Sequence, residues 1–148
     1  MELKIPPVLV LMVAALLMWL SAKLLPDTLL PRLPLLALLL FSAGAGVIAA
    51  GISAFRRVGT TVNPLEPGQS SGVVSDGIYR FSRNPMYLGM VLMLAGWALW
   101  LGQAAAWPGV AGFAAYIHRF QILPEERILS AKFGAAYQAY CRNTRRWL

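Results

Sequence analysis

The side chains in this chain that could do chemistry fall in two short polar stretches separated by apolar sequence. Residues 71–89 form a Gly-rich, basic run that carries Tyr79, Arg80, Arg83, Asn84 and Tyr87. Residues 124–148 open on Glu125 and Glu126, the only adjacent pair of carboxylates in the chain. Groups of this kind either converge on a polar ligand or anchor the chain among lipid headgroups. The single histidine, His118, and the single cysteine, Cys141, build neither a metal site nor an internal disulfide. His118 reads as an interfacial polar residue and Cys141 as a free thiol on a helix.

The composition says where these stretches must sit. At 148 residues the chain is one domain, 58% hydrophobic and 13% charged, with a mean hydropathy of +0.61. Soluble domains run at about 45–50% apolar and about 25% charged, so this is an integral membrane protein. The net charge of +7 is then explained by Lys and Arg held on the cytoplasmic side beside anionic lipid, not by nucleic acid. The N-terminal apolar run is long for a cleavable signal and lacks a small-x-small cleavage site.

The elements that must position the two stretches are helices, and the expected fold is all-α. Residues 8–25 and 35–55 are each long and apolar enough to span a bilayer, and residues 26–34 between them hold three prolines that interrupt a helix. Ser42, Gly46, Ala50 and Ala54 recur every four residues along the second span, as a surface for close helix packing. A long polar connection, residues 56–84, leads to Asn84-Pro85, an N-cap followed by proline in the first turn. Residues 86–101 and 109–123 then read as a close hairpin of two further spans, with Trp97, Trp100 and Trp107 around its turn. Residues 125–140 follow as an amphipathic cytoplasmic helix with Leu129, Phe133, Ala136 and Tyr140 on one face.

With four spans, eleven of the Lys and Arg residues fall on one side and only Lys23 and Arg32 on the other. That bias places both termini, the long loop and the C-terminal helix in the cytoplasm. No carboxylate, histidine or arginine sits in the middle of a predicted span, which disfavours a proton-coupled exporter.

Three blocks, in order, carry a resemblance. Gly77-Ile78-Tyr79, then Arg83-Asn84-Pro85-Met86-Tyr87-Leu88-Gly89, then Glu125-Glu126 with Phe133-Gly134, Tyr137 and Tyr140 resemble the isoprenylcysteine carboxyl methyltransferase and phospholipid methyltransferase superfamily. The likeness covers about the C-terminal half, residues 71–147. It divides the domain into two anchoring helices, residues 1–57, and a cofactor-binding half, residues 58–148.

The resemblance implies an integral membrane enzyme that uses S-adenosylmethionine without a Rossmann domain or a metal. It implies a cofactor site of Ser71, Gly72, Val73, Val74, Tyr79, Asn84, Pro85, Met86, Tyr87 and Glu125, with Asn84 where many members have histidine. The physical logic agrees: aromatic faces suit a sulfonium and a carboxylate suits ribose hydroxyls or an ammonium. Arg83, Arg119, Gln121 and Glu126 are the candidates for contact with the acceptor. No residue is assigned as catalytic, because an in-line methyl transfer needs alignment more than acid–base help. Members that methylate a carboxylate have arginine at the position of Gln121, so the acceptor stays open among an isoprenylcysteine-like carboxylate, a lipid amine and a thiol. The alternative function is a non-catalytic lipid-binding or scaffold protein of the same fold. The expected partners are membrane lipids and a lipophilic acceptor.

Overall fold

The computed structural model describes residues 2–25, 29–59, 65–69 and 72–148, and among them the chain is helical with no strand beyond an isolated bridge between Leu29 and Gln103. The principal helices are α1 (Pro7–Leu24), α2 (Pro34–Val58), α3 (Pro85–Leu101), α4 (Trp107–Ile117) and α5 (Leu123–Asn143). All five carry proline in the first or second position. The missing amide belongs to a group the first turn leaves unbonded anyway. The helices α1 and α2 are long and apolar enough to cross a membrane. Their outer faces expose Leu9, Met12, Leu16, Leu17, Leu35, Leu38 and Leu39. An apolar surface of this extent needs a lipid or protein covering.

The helix α3 lies at the centre, against α2 on one side and α1 and α4 on the other. Its contact with α2 is so close that backbone meets backbone. A Cβ added at Gly44 would lie 2.4 Å from the Gly89 carbonyl oxygen, and one at Gly89 would lie 2.6 Å from that of Gly44. Gly96 packs the same way on the Ala37 carbonyl, and Gly51 on the Met86 side chain. The packed row is therefore Ala37, Gly44 and Gly51 at a seven-residue spacing, continued by Ala54. It is not the four-residue row, because Ser42 and Gly46 are exposed and only Ala54 is shared. Seven residues are close to two turns, so this row holds one face against a straight neighbour, whereas a four-residue row drifts around the helix. Gly44→Ala should lower the unfolding free energy in detergent micelles by about 1–3 kcal/mol. Gly46→Ala, whose Cβ would meet nothing within 4 Å, should cause no loss.

Pro124 does not end the second leg of the hairpin. The chain passes from α4 through a π turn, His118–Ile122, directly into α5. Proline lacks the amide that would bond four residues back, to the Phe120 carbonyl. The Leu3 amide takes that carbonyl instead at 3.1 Å, so an N-terminal strap replaces the missing bond. The actual break comes at Gly134, with φ 50° and ψ −123° inside α5, a conformation open to glycine alone. It resets the helical phase, so Tyr137 is buried and Ala136 exposed. The single unbroken stripe expected across residues 125–140 is not what forms.

Candidate active site

The chain closes on itself at the start of α3. Asn84 precedes the helix and its carbonyl accepts the Leu88 amide, but its side chain makes no cap. Instead Nδ2 of Asn84 donates to the Arg146 carbonyl at 3.0 Å, and the Arg83 amide donates to the Arg145 carbonyl at 2.9 Å. The residues just before α3 are thus stitched to the C-terminal tail, and Trp147 packs against the main core.

Arg83 and Glu126 lie at the heart of this closure. Nη1 of Arg83 donates to the carbonyls of Cys141 and Thr144, at 3.0 and 2.9 Å, and Nη2 pairs with Glu126 at 2.8 Å. Arg146 binds the same carboxylate through Nε at 3.0 Å and Nη2 at 2.8 Å. Burial works to raise the Glu126 carboxyl, but the hydrogen bonds from Arg146 and Arg83 outweigh it and hold the group below its usual range. Glu126 is thus an ionised strut between two guanidinium groups.

Its neighbour has the opposite environment. Glu125 accepts a hydrogen bond from the Tyr87 hydroxyl. Burial pushes its carboxyl up to about 8; the Tyr87 bond acts against this and the adjacent Glu126 charge adds to it. Two carboxylates one residue apart are therefore set to different tasks by what surrounds them. Tyr79 sits on the far wall, edge-on to Phe55 at 5.4 Å between ring centroids, and its carbonyl accepts the Tyr140 hydroxyl at 2.7 Å. Burial, with Tyr140 and Glu125 nearby, raises the Tyr79 hydroxyl above its ordinary value.

These groups enclose a largely apolar cavity of about 240 Å³. Of the residues expected at a cofactor site, Gly72, Val73, Val74, Tyr79, Asn84, Met86, Tyr87 and Glu125 line it. Pro85 is buried behind the wall rather than in it, and Ser71 lies outside the described residues. Arg83 and Glu126 line the cavity as well, whereas Arg119 and Gln121 do not. Arg119 pairs with Glu2 at 3.0 Å, beside a second pair from Arg127 at 2.6 Å. Gln121, only 1% exposed, donates to the Ile5 carbonyl at 2.7 Å. Both belong to the strap that holds the N-terminus over the π turn.

The apolar wall was not legible in the sequence. It comes from Pro7 and Val8 of α1, Phe55 of α2, Met90 of α3, and Leu129, Tyr137 and Tyr140 of α5. Tyr137 and Tyr140 stood in the third block, which was a signal. Nothing local in the sequence marks Pro7, Val8 or Phe55.

A family model described as "Phospholipid methyltransferase" matches residues 33–136. That match spans all of α2 through the break in α5, and so includes the cavity walls other than Pro7, Val8, Tyr137 and Tyr140. A protein of Haemophilus influenzae described as "Uncharacterized protein" is 49% identical over 63 residues, 43% of this chain and the whole of that protein. No solved structure matches the chain.

Proposed function

The chain belongs to the phospholipid methyltransferase family, and from that premise we propose that it transfers a methyl group from S-adenosylmethionine to a lipophilic acceptor at the cytoplasmic face of a membrane. The observation that carries this reading is the convergence of Tyr79, Tyr87, Arg83 and Asn84 from one polar stretch and Glu125 from the other on one cavity. In this reading α1, α2, α3 and the leg through α4 and the π turn cross the bilayer, with both termini in the cytoplasm.

The residues present suit the cofactor. The aromatic groups of Tyr79 and Tyr87 are matched to a sulfonium, and Glu125 offers an acceptor for an ammonium or for ribose hydroxyls. Nε of Arg83 is buried without a hydrogen-bond partner, which leaves one N–H suited to the carboxylate of the amino-acid end. When bound, the cofactor supplies an electrophilic methyl group that an in-line nucleophile can take. The chain's share is alignment and exclusion of water, through an apolar wall stitched to the C-terminal tail.

The same geometry bears on the acceptor. Recognition of a carboxylate calls for a guanidinium that can offer two parallel N–H groups. Arg83, which lines the cavity, has three of its five N–H groups committed to Glu126, Cys141 and Thr144, and what is left serves the amino-acid end of the cofactor. A lipid amine or a thiol is therefore favoured over an isoprenylcysteine-like carboxylate. Val8 lines the cavity and is 55% exposed on the outer side of α1, which gives such an acceptor a route in from the bilayer.

Membranes containing the protein, incubated with cofactor labelled in its methyl group, should transfer label into the lipid extract. Glu125→Ala and Tyr87→Ala should each reduce that transfer, and the cofactor affinity, by more than tenfold. Absence of label above control membranes, with cofactor affinity unchanged in both variants, would leave the non-catalytic lipid-binding reading in its place.

A further inference from the structure

A second cavity, of about 470 Å³, lies at the other end of the same helices. The cofactor cavity takes Val8 from the start of α1, Phe55 from the end of α2 and Tyr87 from the start of α3. The second takes Trp19 and Lys23 from the end of α1, Arg32 from just before α2, Trp97 and Trp100 from the end of α3, and Gln103 from the turn beyond. Its walls are tied together. The Leu30 amide donates to the Gly102 carbonyl at 2.9 Å, Ser21 Oγ donates to the Ala105 carbonyl at 3.1 Å, and Trp97 Nε1 donates to the Ala15 carbonyl at 3.2 Å.

The charges here are unusual for their side of the molecule. Eleven Lys and Arg residues segregate to the cofactor side, and the two that do not, Lys23 and Arg32, both line this cavity. Neither has a carboxylate partner among the described residues; Asp27, in the same connection, lies outside them. Lys23 Nζ stands 6.0 Å from the Trp19 ring centroid. The first turn of α2 beside Arg32 has no acidic residue and no side-chain cap, so its positive end adds to the field. Two cations and a helix start need an anion, and three tryptophans mark the depth at which a bilayer supplies one. The exposed leucines of α1 and α2 continue from the cavity rim as a surface for acyl chains.

We propose that this cavity is a binding site for the headgroup phosphate of a membrane lipid, in the leaflet opposite the cofactor cavity. It rests on α1 and α2 lying in the bilayer, and it holds whatever the methyl acceptor proves to be. Lys23 and Arg32 bracket the phosphate, and the tryptophans bury the glycerol region. The site is therefore selective for lipids with net negative charge.

The test uses the full chain in neutral detergent micelles, titrated separately with phosphatidylglycerol, diacylglycerol and inorganic phosphate. Tryptophan fluorescence and native mass spectrometry report binding. Phosphatidylglycerol should bind saturably, and Lys23→Gln with Arg32→Gln should weaken it about tenfold or more. The charge-preserving pair Lys23→Arg with Arg32→Lys should bind within about threefold of the parent and unfold at the same temperature. Equal affinity for diacylglycerol, or no loss in the Gln pair, would overturn the site. Binding of inorganic phosphate as tight as that of phosphatidylglycerol would overturn its assignment to a lipid.

Discussion

Replacing Glu126 with alanine should lower the unfolding free energy by about 3 kcal/mol, in the range expected when one partner of a buried pair is removed. The side chains of Arg83 and Glu126 are 12% and 16% exposed, so the guanidinium left behind is held away from water with only two carbonyls as partners. Arg146 is 36% exposed and can turn to solvent, so Arg146→Ala should cost only about 1 kcal/mol. Chemical denaturation in micelles measures both. Replacing Arg83 and Glu126 together by Met and Leu should recover much of the loss, because no stranded charge remains. The pH dependence has a definite sign. The folded value of Glu126 lies below the ordinary 4.5, so its contribution is complete above 4.5 and is lost as pH falls through the lowered value. If Glu126→Ala leaves stability unchanged, the strut is a surface ion pair and nothing more.

This strut marks the limit of what the sequence could reveal. The helix positions were readable because proline, glycine and long apolar runs act locally: α1, α2 and α3 begin and end within a few residues of where the pattern puts them. The grouping of Tyr79, Tyr87 and Glu125 was readable too, in that the three meet at one cavity. Partner choice was not readable. Arg83, Arg119, Gln121 and Glu126 were four polar residues near one boundary, with nothing local to sort them. Folding sorts them by long-range carbonyls: Arg83 to the tail at residues 141 and 144, Gln121 to the strap at residue 5. The course of α5 was hidden for a related reason. Pro124 signals a stop, and the carbonyl it leaves unbonded is taken by the Leu3 amide, more than a hundred residues away. The heptad row on α2 was hidden too, since its meaning depends on Gly89 and Gly96 across the interface.

Affinity for the proposed cofactor, S-adenosylmethionine, should rise steeply with pH, by up to about tenfold per unit, and level off near pH 8. Glu125 without ligand is held protonated by burial up to about 8. S-adenosylmethionine carries a sulfonium and an ammonium against one carboxylate, a net positive charge. A cation beside Glu125 favours the ionised form and lowers its value. Below pH 8 binding is therefore coupled to loss of a proton, and raising the pH makes that loss easier. The other groups around Glu125 do not titrate in this window: Glu126 is held low by its arginines, and Tyr79 and Tyr140 are pushed above their usual values. Calorimetry in two buffers of different ionisation enthalpy should read release of up to about one proton near pH 7. Glu125→Gln should abolish both the release and the slope. The ligand-free protein should behave in the opposite sense. Its folded Glu125 value lies above the ordinary 4.5, so that contribution to stability is complete below 4.5 and is lost as pH rises through about 8. Glu125→Gln should then unfold at nearly the same temperature across that range, while the parent weakens. A parent whose cofactor affinity is flat from pH 6 to 8 would mean that no cation sits beside Glu125, and would leave that carboxyl to the ribose hydroxyls.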